Sequence, residues 1–298
     1  MSDRIPAIVN VASGTAAEAR DALAASGAFD VHEVQPTEIA STVKKLVTAG
    51  ARRILVAGGD GTIGTAAAQL IETPAELAVL PGGTLNHFAK DLGISTVAAE
   101  AVLLASGDAC RGVDVGMVNG RIFLNTSSVG VYVRYVRLRE QLEKTLGYRV
   151  ASMLAAFRIL VSFRLMAVEV EVEGRTRIYR TPLVFIGAGE RELQVPLLGK
   201  RVPGGKRGLH VMVVRGRSRA RLFALALNAV ARGVDSVEHT PQFDSFIVDR
   251  FRIRMDGMGK VALDGEIASL NPPLEYELRR DALTVVCPPA SITLVEAK

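Results

Sequence analysis

Twice in succession, a short apolar run breaks into a glycine-rich turn and then into a helical pattern. The first is Arg53-Ile54-Leu55-Val56-Ala57-Gly58-Gly59-Asp60-Gly61-Thr62. The second runs from Leu77-Ala78-Val79-Leu80 through Pro81-Gly82-Gly83-Thr84-Leu85-Asn86 to His87-Phe88-Ala89-Lys90-Asp91-Leu92-Gly93. Each apolar run has the length of a buried strand, and alanine-rich Thr62 to Ile71, stopped at Thr73-Pro74, has the pattern of a helix. Repeated strand–loop–helix units make the strands parallel and gather the loops at the carboxyl edge of one sheet. Glycines there let backbone N–H groups approach an anion, and the helix N-terminus adds partial positive charge. A phosphate-bearing ligand fits such a pair of loops. Asp60 beside it would work through a cation, a water or a substrate hydroxyl.

The alternation extends upstream. Ile5 to Val9 reads as a strand, Thr15 to Ala25 as a helix ended by Gly27, and Val31 to Val34 as a strand. Thr37 is positioned to cap a helix that runs to Ala49 and stops at Gly50, and Ser95 or Thr96 to cap one from about Val97 to Ala105. The fold class expected is α/β, a parallel sheet covered by helices on both faces. After about Gly112 the pattern changes. Val168, Val170 and Val172 alternate with Glu169, Glu171 and Glu173, as in a strand with one wet face. Gly174-Arg175 reads as a hairpin turn into Thr176 to Arg180. Further strands are expected at Leu183 to Ile186, Leu209 to Val214, Phe246 to Met255, Lys260 to Leu263, Tyr276 to Arg279 and Leu283 to Val286. Helices are expected over Tyr132 to Leu160, with a break at Gly147, and over Ser218 to Arg232. Pro196 to Gly208 reads as a mobile loop. The division predicted is residues 1–125 as a nucleotide-binding α/β domain and 126–298 as a mostly antiparallel β-sandwich or compact barrel. The last residues are able to return to the first domain, and the cleft between the domains is the expected active site.

Composition narrows the function classes. The chain has 298 residues, 49% of them hydrophobic, enough to bury a large core. It contains no run of ~18 or more uncharged apolar residues, which argues against a spanning helix. Its first residues, Met1-Ser2-Asp3-Arg4, lack the pattern of a secretory signal, and two cysteines, Cys110 and Cys287, imply a reducing compartment. A cytoplasmic protein is expected. The net charge of +5 and pI near 9.4 favour anionic partners. With no Trp and 5% aromatics there is little to stack bases on, so a nucleic-acid role ranks last.

A third polar block closes the chain's chemistry: Val261-Ala262-Leu263-Asp264-Gly265-Glu266. By itself Asp-Gly-Glu is a surface turn. Near a phosphate loop the pair gains a role, one carboxylate taking the proton of an attacking hydroxyl while the other orients it or holds Mg²⁺. His32, His210 and His239 show no metal-ligand spacing, and the cysteines have no evident base partner.

Taken together, these blocks resemble the diacylglycerol kinase catalytic family, the branch of bacterial soluble lipid kinases related to sphingosine and ceramide kinases. Gly-Gly-Asp-Gly-Thr stands intact at Gly58 to Thr62. The family's Pro-x-Gly-Thr-x-Asn-Asp-Phe-Ala is matched at Pro81, Gly83, Thr84, Asn86, Phe88 and Ala89, and its early Asn-Pro-x-Ser-Gly at Asn10, Ser13 and Gly14. Asp114-Val115-Gly116 through Asn125, with Gly130, is similar to the bridge between the family's domains. The resemblance implies an amino-terminal domain related to the NAD kinase and phosphofructokinase folds, followed by a β-sandwich lipid domain. It implies ATP and Mg²⁺ at Gly58, Gly59, Asp60, Gly61, Thr62, Gly83, Thr84, Asn86 and Asn10, with Asp60 and Asp114 serving the metal. It implies Glu266, assisted by Asp264, as base on a lipid hydroxyl.

Three departures stand out. His87 replaces the family's usual Asp, Val11 its usual Pro, and Lys206-Arg207-Gly208-Leu209-His210 puts cations where bacterial members often hold a structural Mg²⁺, so no metal is expected there. An enzyme acting on a lipid must touch the bilayer, and Arg134, Arg137, Arg139, Lys144, Arg149, Arg158 and Arg164, with Arg215, Arg217, Arg219 and Arg221, suit an anionic surface. Peripheral contact at the inner membrane face is therefore expected. Two other readings stay open. An NAD kinase shares the Gly-Gly-Asp-Gly loop but lacks support here, because Asn86-His87-Phe88 stands in place of its Asn-Glu pair. A non-catalytic nucleotide or lipid sensor would have no need of a paired base.

Overall fold

In the computed structural model, residues 4–162, 165–193, 198–215 and 243–289 are described. The chain divides into two compact units, Met1–Val115 with Arg279–Lys298, and Gly116–Leu278.

The first unit alternates β1 (Ile5–Asn10), α1 (Ala16–Ser26), β2 (Phe29–Val34), α2 (Ile39–Thr48), β3 (Arg53–Gly58), α3 (Asp60–Leu70), β4 (Glu76–Pro81), α4 (His87–Asp91) and α5 (Ala98–Ser106). The strands run parallel in the order β2-β1-β3-β4. From β1 the chain steps to one side for β2, then crosses to the other side for β3. The carboxyl ends of β1 and β3 therefore flank the point where the winding reverses, the place such sheets leave open for a ligand. Residues Ile54 to Gly58 and Leu77 to Leu80 are buried without interruption, as apolar runs covered on both faces should be. Arg53 lies opposite Glu76, and the pair, 2.6 Å apart, pins the register of β3 on β4. The same guanidinium donates to the carbonyls of Ala105 and Gly107 at the end of α5.

Helix α1 ends at Gly27, whose φ of 64° only glycine adopts without strain. Thr37 is not the cap expected of it. A 3₁₀ turn over Pro36–Glu38 precedes α2, and Gln35 and Glu38 close a reciprocal capping box there. Proline at the first helical position and Glu three residues after the cap outweigh the threonine. Ser95 accepts the N–H of Val97, and Val97 itself is the N-cap of α5.

Strand β5 (Cys110–Val118) leads out of the first unit. In the second unit follow β6 (Arg121–Phe123), β7 (Thr126–Gly130) and α6 (Val131–Ser162), which is interrupted at Gly147, φ 70° and ψ 161°. Then come β8 (Met166–Val172), β9 (Arg175–Thr181), β10 (Leu183–Ala188), β11 (Arg191–Leu193), β12 (Leu198–Arg201), β13 (Leu209–Val214), β14 (Phe243–Val248), β15 (Arg250–Arg254), β16 (Gly259–Leu263), β17 (Glu266–Leu270) and β18 (Leu274–Val286). One sheet has the order β14-β13-β10-β7-β16-β17 and is antiparallel throughout. The other layer sets β15 between β8 and the first part of β18, with β9 beyond β8. Val129, Ile186, Val211 and Leu263 from one layer meet Val168, Val170, Ile253 and Tyr276 from the other in a single core. Tyr276 stacks on Phe251, ring centroids 4.7 Å apart, and its buried hydroxyl is satisfied by Ser127 Oγ at 3.0 Å. The alternating glutamates face outward: Glu169 and Glu171 pair with Arg254, and Arg252 bridges Glu171 and Glu275. Such partly exposed surface pairs contribute about 0–1 kcal/mol each.

Several boundaries differ from the sequence reading. The hairpin turn is Glu173-Gly174, both at positive φ, one residue earlier than expected, because the two-residue loop requires that conformation at both positions. Phe246 to Met255 is two strands parted at Asp249. Tyr276 to Arg279 and Leu283 to Val286 are one strand, Leu274–Val286, which runs on into the first unit, where Val285 lies opposite Leu77 of β4. Leu198–Arg201 pairs with β11, so Pro196 to Gly208 is not loop throughout. The helix expected over Ser218 to Arg232 lies outside the described residues, as do Arg164, Arg217, Arg219, Arg221 and His239.

Candidate active site

Three glycine-rich loops meet at the carboxyl ends of β1, β3 and β4. Gly58 ends β3, Gly59 is the N-cap of α3, and Asp60, Gly61 and Thr62 form that helix's first turn. No side chain caps α3, so its first N–H groups are open to an acceptor from outside the helix. The loops pack backbone on backbone. Gly82 N–H donates to the Gly58 carbonyl at 2.8 Å. A Cβ on Gly83 would stand 2.8 Å from Gly59 Cα, and one on Gly59 would stand 3.3 Å from Gly83 Cα. Neither glycine can be replaced without moving the other loop. Asn10, Ser13, Gly14, Thr15, Gly59, Gly82, Gly83 and Thr84 line an open depression of about 510 Å³ here.

Polar side chains brace the loops from behind. Asn10 Nδ2 donates to Thr62 Oγ1 at 2.8 Å, and its Oδ1 accepts from Ala12 N–H, joining the end of β1 to the first turn of α3. The Ser13 and Thr15 hydroxyls both donate to the Gly82 carbonyl, at 3.0 and 3.2 Å. Asn86 adopts the left-handed conformation, φ 51°, and closes a two-way bond with Gly83: Oδ1 accepts the Gly83 N–H and Nδ2 donates to its carbonyl, each at 2.8 Å. Asp60 reaches across to α4, where its two oxygens accept the N–H groups of His87 and Phe88 at 3.1 and 3.2 Å. One helix start is filled by a carboxylate; the neighbouring one, at α3, is open. His87 thus meets Asp60 through its backbone.

In the second unit, Asp264 and Gly265 form the two-residue turn between β16 and β17, both at positive φ, 47° and 92°. The Asp264 carboxylate turns inward and accepts three consecutive backbone N–H groups: Leu124 at 2.6 Å, Asn125 at 2.8 Å and Thr126 at 2.9 Å. Burial pushes this carboxyl above its ordinary pKa, while the three N–H donors and the Arg191 charge pull it down; burial is the larger effect. Glu266, two residues on, begins β17 and is exposed, with no group among the described residues holding its carboxylate. The two acids are therefore unlike: one is spent on backbone donors, and the other is exposed.

Asp114 is buried on β5, and its Oδ1 accepts the Asp281 N–H at 3.0 Å. Among the described residues no three His, Cys, Asp or Glu side chains converge as a metal-binding group. The donor set does fit a Mg²⁺ that arrives on phosphates, since such an ion needs only one or two protein carboxylates and keeps several waters. Asp60 meets that need, because each oxygen retains acceptor capacity beyond its one N–H bond. Sequence reasoning gave no role to Arg191 or His210, yet both are buried in the second unit. No helix among the described residues is long and apolar enough to cross a membrane.

Comparison with known proteins agrees with the resemblance. Residues 4–118 match the model of the diacylglycerol kinase catalytic domain. A probable lipid kinase YegS-like protein of Pseudomonas syringae pv. syringae (strain B728a) is 39% identical over 108 residues, 35% of each chain. The diacylglycerol kinase of Bacillus subtilis (strain 168) is 34% identical over 128 residues, 41% of each chain. The matched stretches thus span well under half the length of these relatives. In fold the likeness extends along nearly the whole chain: the crystal structure of a diacylglycerol kinase from Bacillus anthracis str. Sterne aligns with a TM-score of 0.69 at 22% identity, over 97% of this chain and 98% of that one.

Proposed function

Taking residues 4–118 as a member of the diacylglycerol kinase catalytic-domain family, we propose that this chain is an ATP- and Mg²⁺-dependent lipid kinase. It would transfer the γ-phosphate to a hydroxyl of a membrane lipid, with diacylglycerol the first acceptor to test. The observation that carries the reading is the start of α3, uncapped by any side chain, where Gly59 and Gly83 stand opposed with no Cβ to keep an anion from the backbone. Phosphates would lie against Gly59, Gly61 and Thr62 on one side and Gly83 and Thr84 on the other. Gly58, Asn10 and Asn86 would hold those loops in place.

Asp60 would hold Mg²⁺, with Asp114 the second carboxylate proposed to serve it, and the ion would supply charge neutralisation for the transferred phosphoryl group. Glu266 is the proposed base. It would take the proton of the acceptor hydroxyl as that oxygen bonds to the γ-phosphorus; the bond from phosphorus to the β–γ bridging oxygen breaks, and ADP leaves. Asp264 would contribute by fixing the turn that carries Glu266.

Contact with the bilayer is supported by α6. After its break at Gly147, the helix buries Ala151 and Ala155 and turns Val150, Met153, Leu154 and Phe157 outward, Met153 72% and Phe157 67% exposed. Large apolar groups outside and alanines inside reverse the usual arrangement of a soluble helix. Exposed Arg134, Arg137 and Arg158 on the same helix suit anionic headgroups at the inner membrane face.

The test is transfer of label from γ-labelled ATP with Mg²⁺ to a panel of lipids in mixed micelles, with NAD as a soluble control. Label in one lipid is expected. Label in NAD would give the chain to the NAD kinase reading, and ATP binding without any transfer to the sensor reading.

A further inference from the structure

Arg191, at the start of β11, is 2% exposed. A guanidinium so deeply buried needs partners and a reason. Room is made for it by Gly187, where an added Cβ would run into Arg191 Cγ. Its backbone N–H donates to His210 Nδ1 at 3.0 Å, which fixes the imidazole as acceptor on that side, and His210 Nε2 lies 2.7 Å from Ser245 Oγ. Its Nη2 donates to the Ala188 carbonyl at 3.0 Å.

From there a continuous path leads to the hairpin of Asp264. Ala188 N–H donates to the Asn125 carbonyl at 2.9 Å, and Asn125 N–H donates to Asp264 Oδ1 at 2.8 Å. Asp264 also accepts from the two residues that flank Asn125. Arg191 therefore touches neither the turn nor Glu266, yet it secures the segment on which the turn is hung. Through space its charge acts on Asp264 in the same sense, favouring the carboxylate that accepts those N–H groups.

We propose that Arg191 is a positioning residue for phosphoryl transfer: through Ala188 and Asn125 it holds the Asp264 turn and so sets where Glu266 stands. The assignment rests on the lipid-kinase reading for its consequence in turnover, while its structural half can be read without any activity.

The experiment compares the full-length parent with Arg191→Met, Arg191→Lys and Gly187→Ala, the last displacing the guanidinium without removing it. Turnover with diacylglycerol in mixed micelles is measured beside amide hydrogen exchange. In Arg191→Met, kcat is expected to fall about 10²-fold with KM for ATP within about twofold, the signature of a misplaced group. Gly187→Ala should follow it, and Arg191→Lys should recover about tenfold. The amides of Leu124, Asn125 and Thr126 should exchange about tenfold faster while those of β13 keep their protection. Unchanged kcat in both Arg191→Met and Gly187→Ala would overturn the proposal, as would unchanged exchange at Leu124–Thr126. Should Arg191→Met not fold, Gly187→Ala and Arg191→Lys decide by the same two readouts. If the parent itself transfers phosphate to no lipid, the kinase reading fails and the role in turnover with it, and the exchange data decide whether Arg191 holds the Asp264 turn.

Discussion

Asp60 in the first unit accepts two backbone N–H groups at 3.1 and 3.2 Å; Asp264 in the second accepts three at 2.6 to 2.9 Å. Each is an aspartate beside a glycine in its motif, and both tie their own loop to a distant one. They differ in what remains. Asp60 is half-buried at the mouth of an open cradle and can still meet a cation or a water. The Asp264 carboxyl is enclosed by its donors, and Glu266, two residues on, is the exposed acid of that turn. The count and closeness of the N–H donors separate the two: Asp264 is spent on its own turn, while each Asp60 oxygen keeps acceptor capacity beyond one N–H bond.

The comparison can be broken most forcefully at Asp264. Asp264→Ala leaves three N–H groups without an acceptor, at about 1 kcal/mol or more each, so a loss of about 3 kcal/mol in urea unfolding is expected. A loss under about 1 kcal/mol would mean water replaces the carboxylate and the brace is dispensable. Next in size is Gly83→Ala, whose Cβ would meet Gly59 Cα at 2.8 Å and Asn86 Oδ1 at 3.0 Å. Overpacking of this kind costs about 1–3 kcal/mol, and ATP affinity by calorimetry should fall with it. Asp60→Ala removes only the cap of α4, and about 1 kcal/mol of stability is expected to go with it. A cost equal to that of Asp264→Ala would erase the distinction drawn between the two.

The smallest effect is on pH. Burial raises the Asp264 pKa above 3.8, so between that value and its folded one the native chain binds more protons than the unfolded chain. Stability contributed by this group is present below 3.8 and is lost as pH rises through the folded value. Thermal unfolding of the parent, compared with Asp264→Asn, should show that decline; a difference that grows with pH instead would put the donors ahead of burial.

The first unit was legible because its signals are local. Apolar runs such as Ile54 to Ala57 end at glycines, and helix ends such as Gly27 announce themselves. The cradle was legible for the same reason, since Gly58 to Thr62 and Gly83 to Asn86 each lie within a few residues. Bracing was not. Asp264 meets Leu124 across 140 positions and Asn10 meets Thr62 across 52. Arg191 and His210 left no sign, because Gly187, which admits Arg191, looks like any glycine at a strand end. Thr37 misled for a local reason, since Pro36 and Glu38 beside it formed the stronger helix start.

One measurement bears most directly on the central claim, that Glu266 reacts while Asp264 holds. Transfer from γ-labelled ATP to diacylglycerol should be compared in the parent and Glu266→Gln, with ATP affinity and urea stability measured on both. The account predicts a fall in turnover of about 10²-fold or more, with affinity and stability unchanged. Near-parental turnover in Glu266→Gln would contradict it.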